Sequence, residues 1–87
     1  MYHVYVLKSK KVQRHYIGMA ENVETRLKRH NAGDVRSTKP YRPWHVVHVE
    51  VFRDKTKARE RESFLKKTAR ARIELFARID KALSSIG

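Results

Sequence analysis

The run Tyr2-His-Val-Tyr-Val-Leu7 puts the tightest constraint on how this chain can fold. Tyrosine and valine favour extended backbone, and here apolar groups fall on both faces of the strand, which makes it an interior one. Lys8–Arg14 follows as a polar connector, and His15–Met19 reads as a second short strand, close enough for an antiparallel hairpin. His45–Phe52 is the third strand. Strict alternation sends His45, Val47, Val49 and Val51 to one face and Val46, His48, Glu50 and Phe52 to the other.

Three stretches carry helical patterning. The first runs from Asn22, a capping residue, to about Asn31, with Gly33 as a stop signal. The second begins near Asp54 or Thr56 and ends about Lys67. The third spans Ala69 to Leu83, with Ala71, Leu75, Phe76, Ile79, Ala82 and Leu83 on one apolar stripe. Pattern alone leaves open whether the last two form one bent helix. Residues 31–44 carry Gly33 and two prolines and read as a loop. The order β-β-α-β-α-α predicts a small α+β fold, a three-stranded antiparallel sheet flanked by helices. A chain of 87 residues is expected to form a single domain over 1–87. A domain of that size buries about 60–65% of its unfolded surface, so chemistry belongs on an open face or shallow groove.

Charge narrows the function classes. Lys and Arg number 21 against 9 Asp and Glu, a net charge of +12. Self-repulsion on that scale is most easily tolerated beside a polyanion, and nucleic acid fits best because each phosphate contact releases counterions. No stretch approaches the roughly 20 apolar residues of a transmembrane helix, so a membrane partner is not expected. Cysteine is absent, which excludes disulfides, thiolate zinc sites and a cysteine nucleophile. The N-terminus lacks the pattern of a signal peptide, and a cytoplasmic location is expected.

Two helices place polar groups where apolar ones belong. At about 100° per residue, with Val23 at zero, Leu27 lies about 40° to one side, with His30 about 20° and Arg26 about 60° to the other. On the second helix, with Ala58 at zero, Glu62 lies near 40° and Leu65 near −20°, roughly on one stripe, while Glu60 points outward. A carboxylate on a core-facing stripe is costly unless a metal ion, an arginine or a hydroxyl meets it. On pattern alone a buried ion pair, for example Glu62 with Arg26, holding the two helices in register is the favoured account. His30 also fits a structural histidine, and Tyr5 and Tyr16 fit half-buried packing residues.

Four motifs occur in order: Val4-Tyr5, Tyr16-Ile-Gly18, Glu24-Thr-Arg-Leu-Lys-Arg-His-Asn31 and Ala58-Arg-Glu-Arg-Glu62. Together they resemble the GIY-YIG nuclease family over about residues 2–67. Ser37-Thr-Lys-Pro-Tyr-Arg-Pro-Trp44 resembles its small, stand-alone, single-domain branch. His3-Val4 stands in place of Gly-Ile, and Met19 stands where some relatives carry a lysine. An asparagine that some branches carry after the glutamate has no counterpart.

The resemblance implies a metal-dependent DNA endonuclease, acting in DNA repair or processing, with RNA left open as a substrate. Glu62 would hold one Mg²⁺ or Mn²⁺ ion, since a single carboxylate suits an ion that keeps most of its waters. Arg26 would clamp the scissile phosphate. Tyr16 and Tyr5 would position or deprotonate the attacking water, Tyr16 being the preferred base. His30 would give proton or hydrogen-bond support, with a fallback role as base. Arg36, Lys39, Arg42 and Trp44 in the loop are expected to grip nucleic acid. There Trp44 either stacks on an exposed base or packs on the sheet as a core plug. The competing class is a non-catalytic nucleic-acid-binding module on the same fold.

Overall fold

The computed structural model describes residues 1–86. Strands β1 (Tyr2–Ser9), β2 (His15–Ala20) and β3 (Trp44–Phe52) form one sheet. Helices α1 (Val23–Ala32), α2 (Lys55–Lys67) and α3 (Ala69–Ile86) flank it, and a short 3-10 turn (Lys39–Tyr41) precedes β3. Pairing is antiparallel throughout in the order β2-β1-β3. The expected α+β architecture is the observed one.

β1 occupies the centre, as its two apolar faces require. Val4 and Val6 join Ile17, Ala58, Leu65, Leu75 and Ile79 in the core under α2 and α3. Tyr5 and Leu7 point the other way, to Trp44, with Tyr16, Val23 and Leu27 packed around them under α1. The strand runs two residues further than its apolar pattern. Lys8 and Ser9 continue the ladder opposite His45 and Trp44, and the Lys8 ammonium is held at 3.0 Å by Asp80 of α3. A polar sequence extends here because its side chains find partners.

Strict alternation fails in β3. Leu7 pairs with Val46 but Val6 pairs with His48, leaving Val47 as an extra residue in a bulge. The bulge reverses the parity of the strand. Val46 packs with Tyr5 and Leu7 on the α1 side, whereas Val47 and Phe52 pack on the α2–α3 side. Val49 and Val51, opposite Tyr5 and His3, are exposed on the edge strand β3.

The helix ends follow their local signals. Asn22 Oδ1 accepts the Thr25 N–H at 2.9 Å, and Asp54 Oδ1 accepts the Thr56 N–H at 2.7 Å. Gly33 closes α1 in the left-handed region at φ 86°, where its N–H meets the Arg29 and His30 carbonyls. α2 and α3 are separate helices, broken at Thr68, which is extended at φ −109°, ψ 91°. Arg72 reaches back to donate to the Leu65 and Lys66 carbonyls at 3.2 and 2.7 Å, satisfying two orphaned acceptors. On α3 the expected stripe is only partly used: Leu75 and Ile79 are buried, but Ala82 and Leu83 are exposed.

Candidate active site

Tyr5 and Tyr16 lie on the sheet face that α1 covers, and their rings are 6.4 Å apart. Gly18, paired with Tyr5 across the β1–β2 ladder, is what lets the Tyr5 side chain cross β2. A Cβ at position 18 would overlap the Tyr5 ring. From above, α1 lowers His30 onto both tyrosines, with ring separations of 6.0 Å to Tyr5 and 4.8 Å to Tyr16.

His30 is fully buried and its two nitrogens have different work. Thr38 Oγ1 lies 3.2 Å from the Val35 carbonyl and 2.8 Å from His30 Nδ1. The one hydroxyl hydrogen of Thr38 goes to the carbonyl, so its oxygen accepts from Nδ1–H. Nε2 is therefore bare and accepts the Tyr5 hydroxyl at 3.0 Å. Burial, with Arg26 and Arg29 nearby, pushes the His30 pKa down to about 4, in keeping with a neutral ring. His30 thus enters the site as a buried hydrogen-bonding group, with Tyr5 on one ring nitrogen and Thr38 on the other.

Burial also pushes the Tyr5 phenol up. Arg26 beside it pulls the other way, and Tyr16 and Glu62 add to the rise. Tyr5 is thus a fixed, protonated donor, whereas Tyr16 is only half-buried. Arg26 lies on the inward flank of α1 and its Nε is buried without a hydrogen-bond partner among the described residues. Leaving such a donor unmet is costly, which marks a place for an acceptor that arrives from outside. A shallow groove of about 450 Å³, lined by Met19, Ala20, Glu21, Asn22, Thr25 and Arg26, opens beside it.

Glu62 is half-buried on α2, between the buried Ala58 and Leu65. The alternative of a Glu62–Arg26 pair is not what forms: the Glu62 carboxylate meets Lys66 at 3.2 Å, one helical turn on. The Lys66 ammonium in turn stands 5.6 Å from the centre of the Tyr16 ring. Among the described residues no cluster of three or more His, Asp or Glu side chains exists to enclose a metal. A lone carboxylate oxygen donor fits an ion that keeps most of its waters and takes further oxygens from a phosphate. It does not fit a fully protein-ligated centre.

The loop residues fare differently. Arg36 and Lys39 are exposed and Arg42 is half-buried, with its Nε donating to the Lys39 carbonyl at 3.0 Å. None of the three hydrogen-bonds or ion-pairs to the tyrosine–histidine cluster among the described residues. Trp44 is a correction to the expectation of base stacking: it is 2% exposed. Its Nε1 donates to the Thr38 carbonyl at 2.9 Å, and Asn31 brackets its backbone with bonds of 2.7 and 3.0 Å. It is the core plug. Sequence reasoning missed Thr38, Asn31 and Lys66. The i,i+4 spacing of Glu62 and Lys66 was the one available signal, whereas the other two act through contacts that only the folded loop creates.

The sheet, the α1 histidine and arginine and the α2 glutamate define a known class of domain. The GIY-YIG catalytic domain matches over residues 1–74, and the chain belongs to that family, one of endonucleases that generally use divalent metals. A UPF0213 protein of Clostridium perfringens is 38% identical over 71 residues, covering 80% of this chain and 75% of its own. One from Halobacterium salinarum is 36% identical over 75 residues, covering 85% and 96%. The solution NMR structure of a UPF0213 protein from Bacillus halodurans superimposes with a TM-score of 0.55 at 26% identity, covering 90% of this chain and 83% of that one. No described helix is long and apolar enough to cross a membrane.

Proposed function

We propose that this protein is a divalent-metal-dependent endonuclease that hydrolyses phosphodiester bonds in DNA, in a repair or processing role. The observation that carries the reading is the convergence of Tyr5, Tyr16, Arg26 and His30, with the unpartnered Arg26 Nε beside a groove. A structural ion pair would have used Arg26 internally. A net charge of +12 supports a polyanionic substrate, and RNA shares that chemistry.

In this reading Arg26 binds a non-bridging oxygen of the scissile phosphate, its planar donor set matching the phosphate edge. Tyr5, held by His30 and Thr38, fixes the floor of the site and orients its neighbours. Tyr16 in its phenolate form takes the proton of the attacking water as that oxygen bonds to phosphorus and the ester oxygen departs. Glu62 is the ligand for one Mg²⁺ or Mn²⁺ ion, which when bound supplies charge neutralisation on the phosphoryl and leaving oxygens. Arg36 and Lys39 on the exposed loop, with Arg42, add non-specific grip.

The test is incubation of the purified protein with duplex, single-stranded and branched DNA, with and without Mg²⁺ or Mn²⁺. Metal-dependent nicking that Arg26→Ala removes is expected. If no substrate is cut while binding stays tight and steeply salt-dependent, the same fold is a non-catalytic binding module instead.

A further inference from the structure

Lys66 has no part in the reading above, yet it touches two of its residues. Its ammonium sits 3.2 Å from Glu62 Oε2 and 5.6 Å from the Tyr16 ring centre. The Lys66 side chain is 47% exposed and the Glu62 side chain 21%. The lysine can therefore swing away without unpacking the core, and the carboxylate cannot. No second acidic or histidine ligand stands by, among the described residues, to build a metal cluster.

Taking Glu62 as the metal ligand proposed above, we infer that Lys66 is an exchangeable counter-ion that makes cation binding depend on substrate. In the free protein Lys66 occupies the carboxylate. A hydrated divalent ion would have to displace it inside a chain of net charge +12, with one carboxylate as its whole protein shell. A phosphodiester seated against Arg26 changes both terms. It offers Lys66 a competing anion, which frees Glu62, and it brings the extra oxygen ligands that such an ion prefers. Nucleic acid then binds first and the ion second, so Glu62 does not collect divalent cations while no phosphate is present.

The experiment reads Mn²⁺ binding by loss of the free-ion electron paramagnetic resonance signal, which requires no turnover. Wild type alone is expected to bind Mn²⁺ weakly. Lys66→Met alone should bind at least about fivefold more tightly, since a competing ion pair and its repulsion are gone, and Lys66→Arg should behave as wild type. With excess short DNA duplex, wild type and Lys66→Met should converge on the same tight binding, after subtraction of the Glu62→Gln complex as background. A Lys66→Met protein that binds Mn²⁺ no better than wild type overturns the inference. So does a wild type that binds equally well with and without duplex. If the Glu62→Gln complex holds as much Mn²⁺ as wild type, Glu62 is not the ligand and the metal assignment itself falls. Because Lys66 is half-exposed, circular dichroism should show both variants folded.

Discussion

Tyr5 on the central strand and His30 near the end of α1 share a 3.0 Å hydrogen bond across 25 positions of sequence, and the phenol is the donor. Thr38 fixes that direction from the other side of the ring. The relay ends on the Val35 backbone carbonyl, and burial keeps the His30 ring neutral at ordinary pH.

That neutral ring predicts an acid-sensitive fold. The folded His30 holds its proton only below about 4, against an ordinary 6.5. Between those values the unfolded chain binds a proton that the folded one refuses, so stability falls as pH drops through that window. The full shift corresponds to roughly 3 kcal/mol. Melting temperatures measured from pH 7 to 4.5 should fall steeply in wild type and less steeply in His30→Gln. Parallel curves would remove His30 as the cause. Glu50, lowered by Arg61 and His48 against its own burial, and Asp80, lowered by His15 and Lys8 likewise, add to the loss only below the ordinary carboxylate range.

The two tyrosines should separate experimentally. Tyr5→Phe leaves the bare His30 Nε2 without its donor, and is expected to cost about 1–3 kcal/mol of stability. Tyr16→Phe removes a hydroxyl with no such internal bond, so the melting temperature should barely move while cleavage drops about 10²- to 10⁴-fold. Chemical denaturation and a nicking assay on both variants check this. Full turnover in Tyr16→Phe would move the proton-accepting role elsewhere.

Glu62→Gln distinguishes a site residue from a structural strut. Its partner is the half-exposed Lys66, an i,i+4 pair, and such pairs contribute less than about 1 kcal/mol. The variant should fold normally, bind DNA at least as well without metal, and fail to cleave. A loss of about 3–5 kcal/mol, the cost of breaking a buried pair, would reinstate the structural account.

Much of this molecule was readable from its residues, and the reasons differ by element. β1, the helix caps at Asn22 and Asp54 and the stop at Gly33 are set by local chemistry, and they fall where that chemistry points. The wheel positions of Arg26, His30 and Glu62 correctly set them apart from the exposed Lys28, Arg29 and Glu60. What could not be read depends on distant partners. The pairing of Glu62 with Lys66 rather than Arg26, the Thr38 brace and the extension of β1 through Lys8 all depend on which groups the fold brings together. Trp44 was balanced between stacking and packing because an indole serves either, and Asn31 with the Thr38 carbonyl decides the matter.

Trp44→Ala should accordingly act on the fold. Emptying a buried tryptophan site costs about 3–5 kcal/mol, a large share of the 5–15 kcal/mol typical of a whole domain. Equilibrium unfolding in urea should show that loss, and any fall in DNA binding should track the unfolded fraction. A stable Trp44→Ala protein with weakened DNA binding would return the indole to the interface.

The bulge at Val47 gives β3 one position where length and facing are uncoupled. Leu7 already pairs with Val46 and Val6 with His48, so removing Val47 would join two residues that sit on opposite faces in regular order. Removing a residue between the bulge and Glu50, such as Val49, would turn the side chains beyond it over, swinging Glu50 away from Arg61, which it holds at 2.8 Å. A scan of one-residue deletions along β3, read by amide hydrogen exchange, should find the ladder surviving the loss of one valine from the Val46-Val47 pair, where either deletion gives the same chain, and lost at 49. The strand thus carries a spare link, and chains of this kind can differ by one residue there while still presenting the same two faces to their helices.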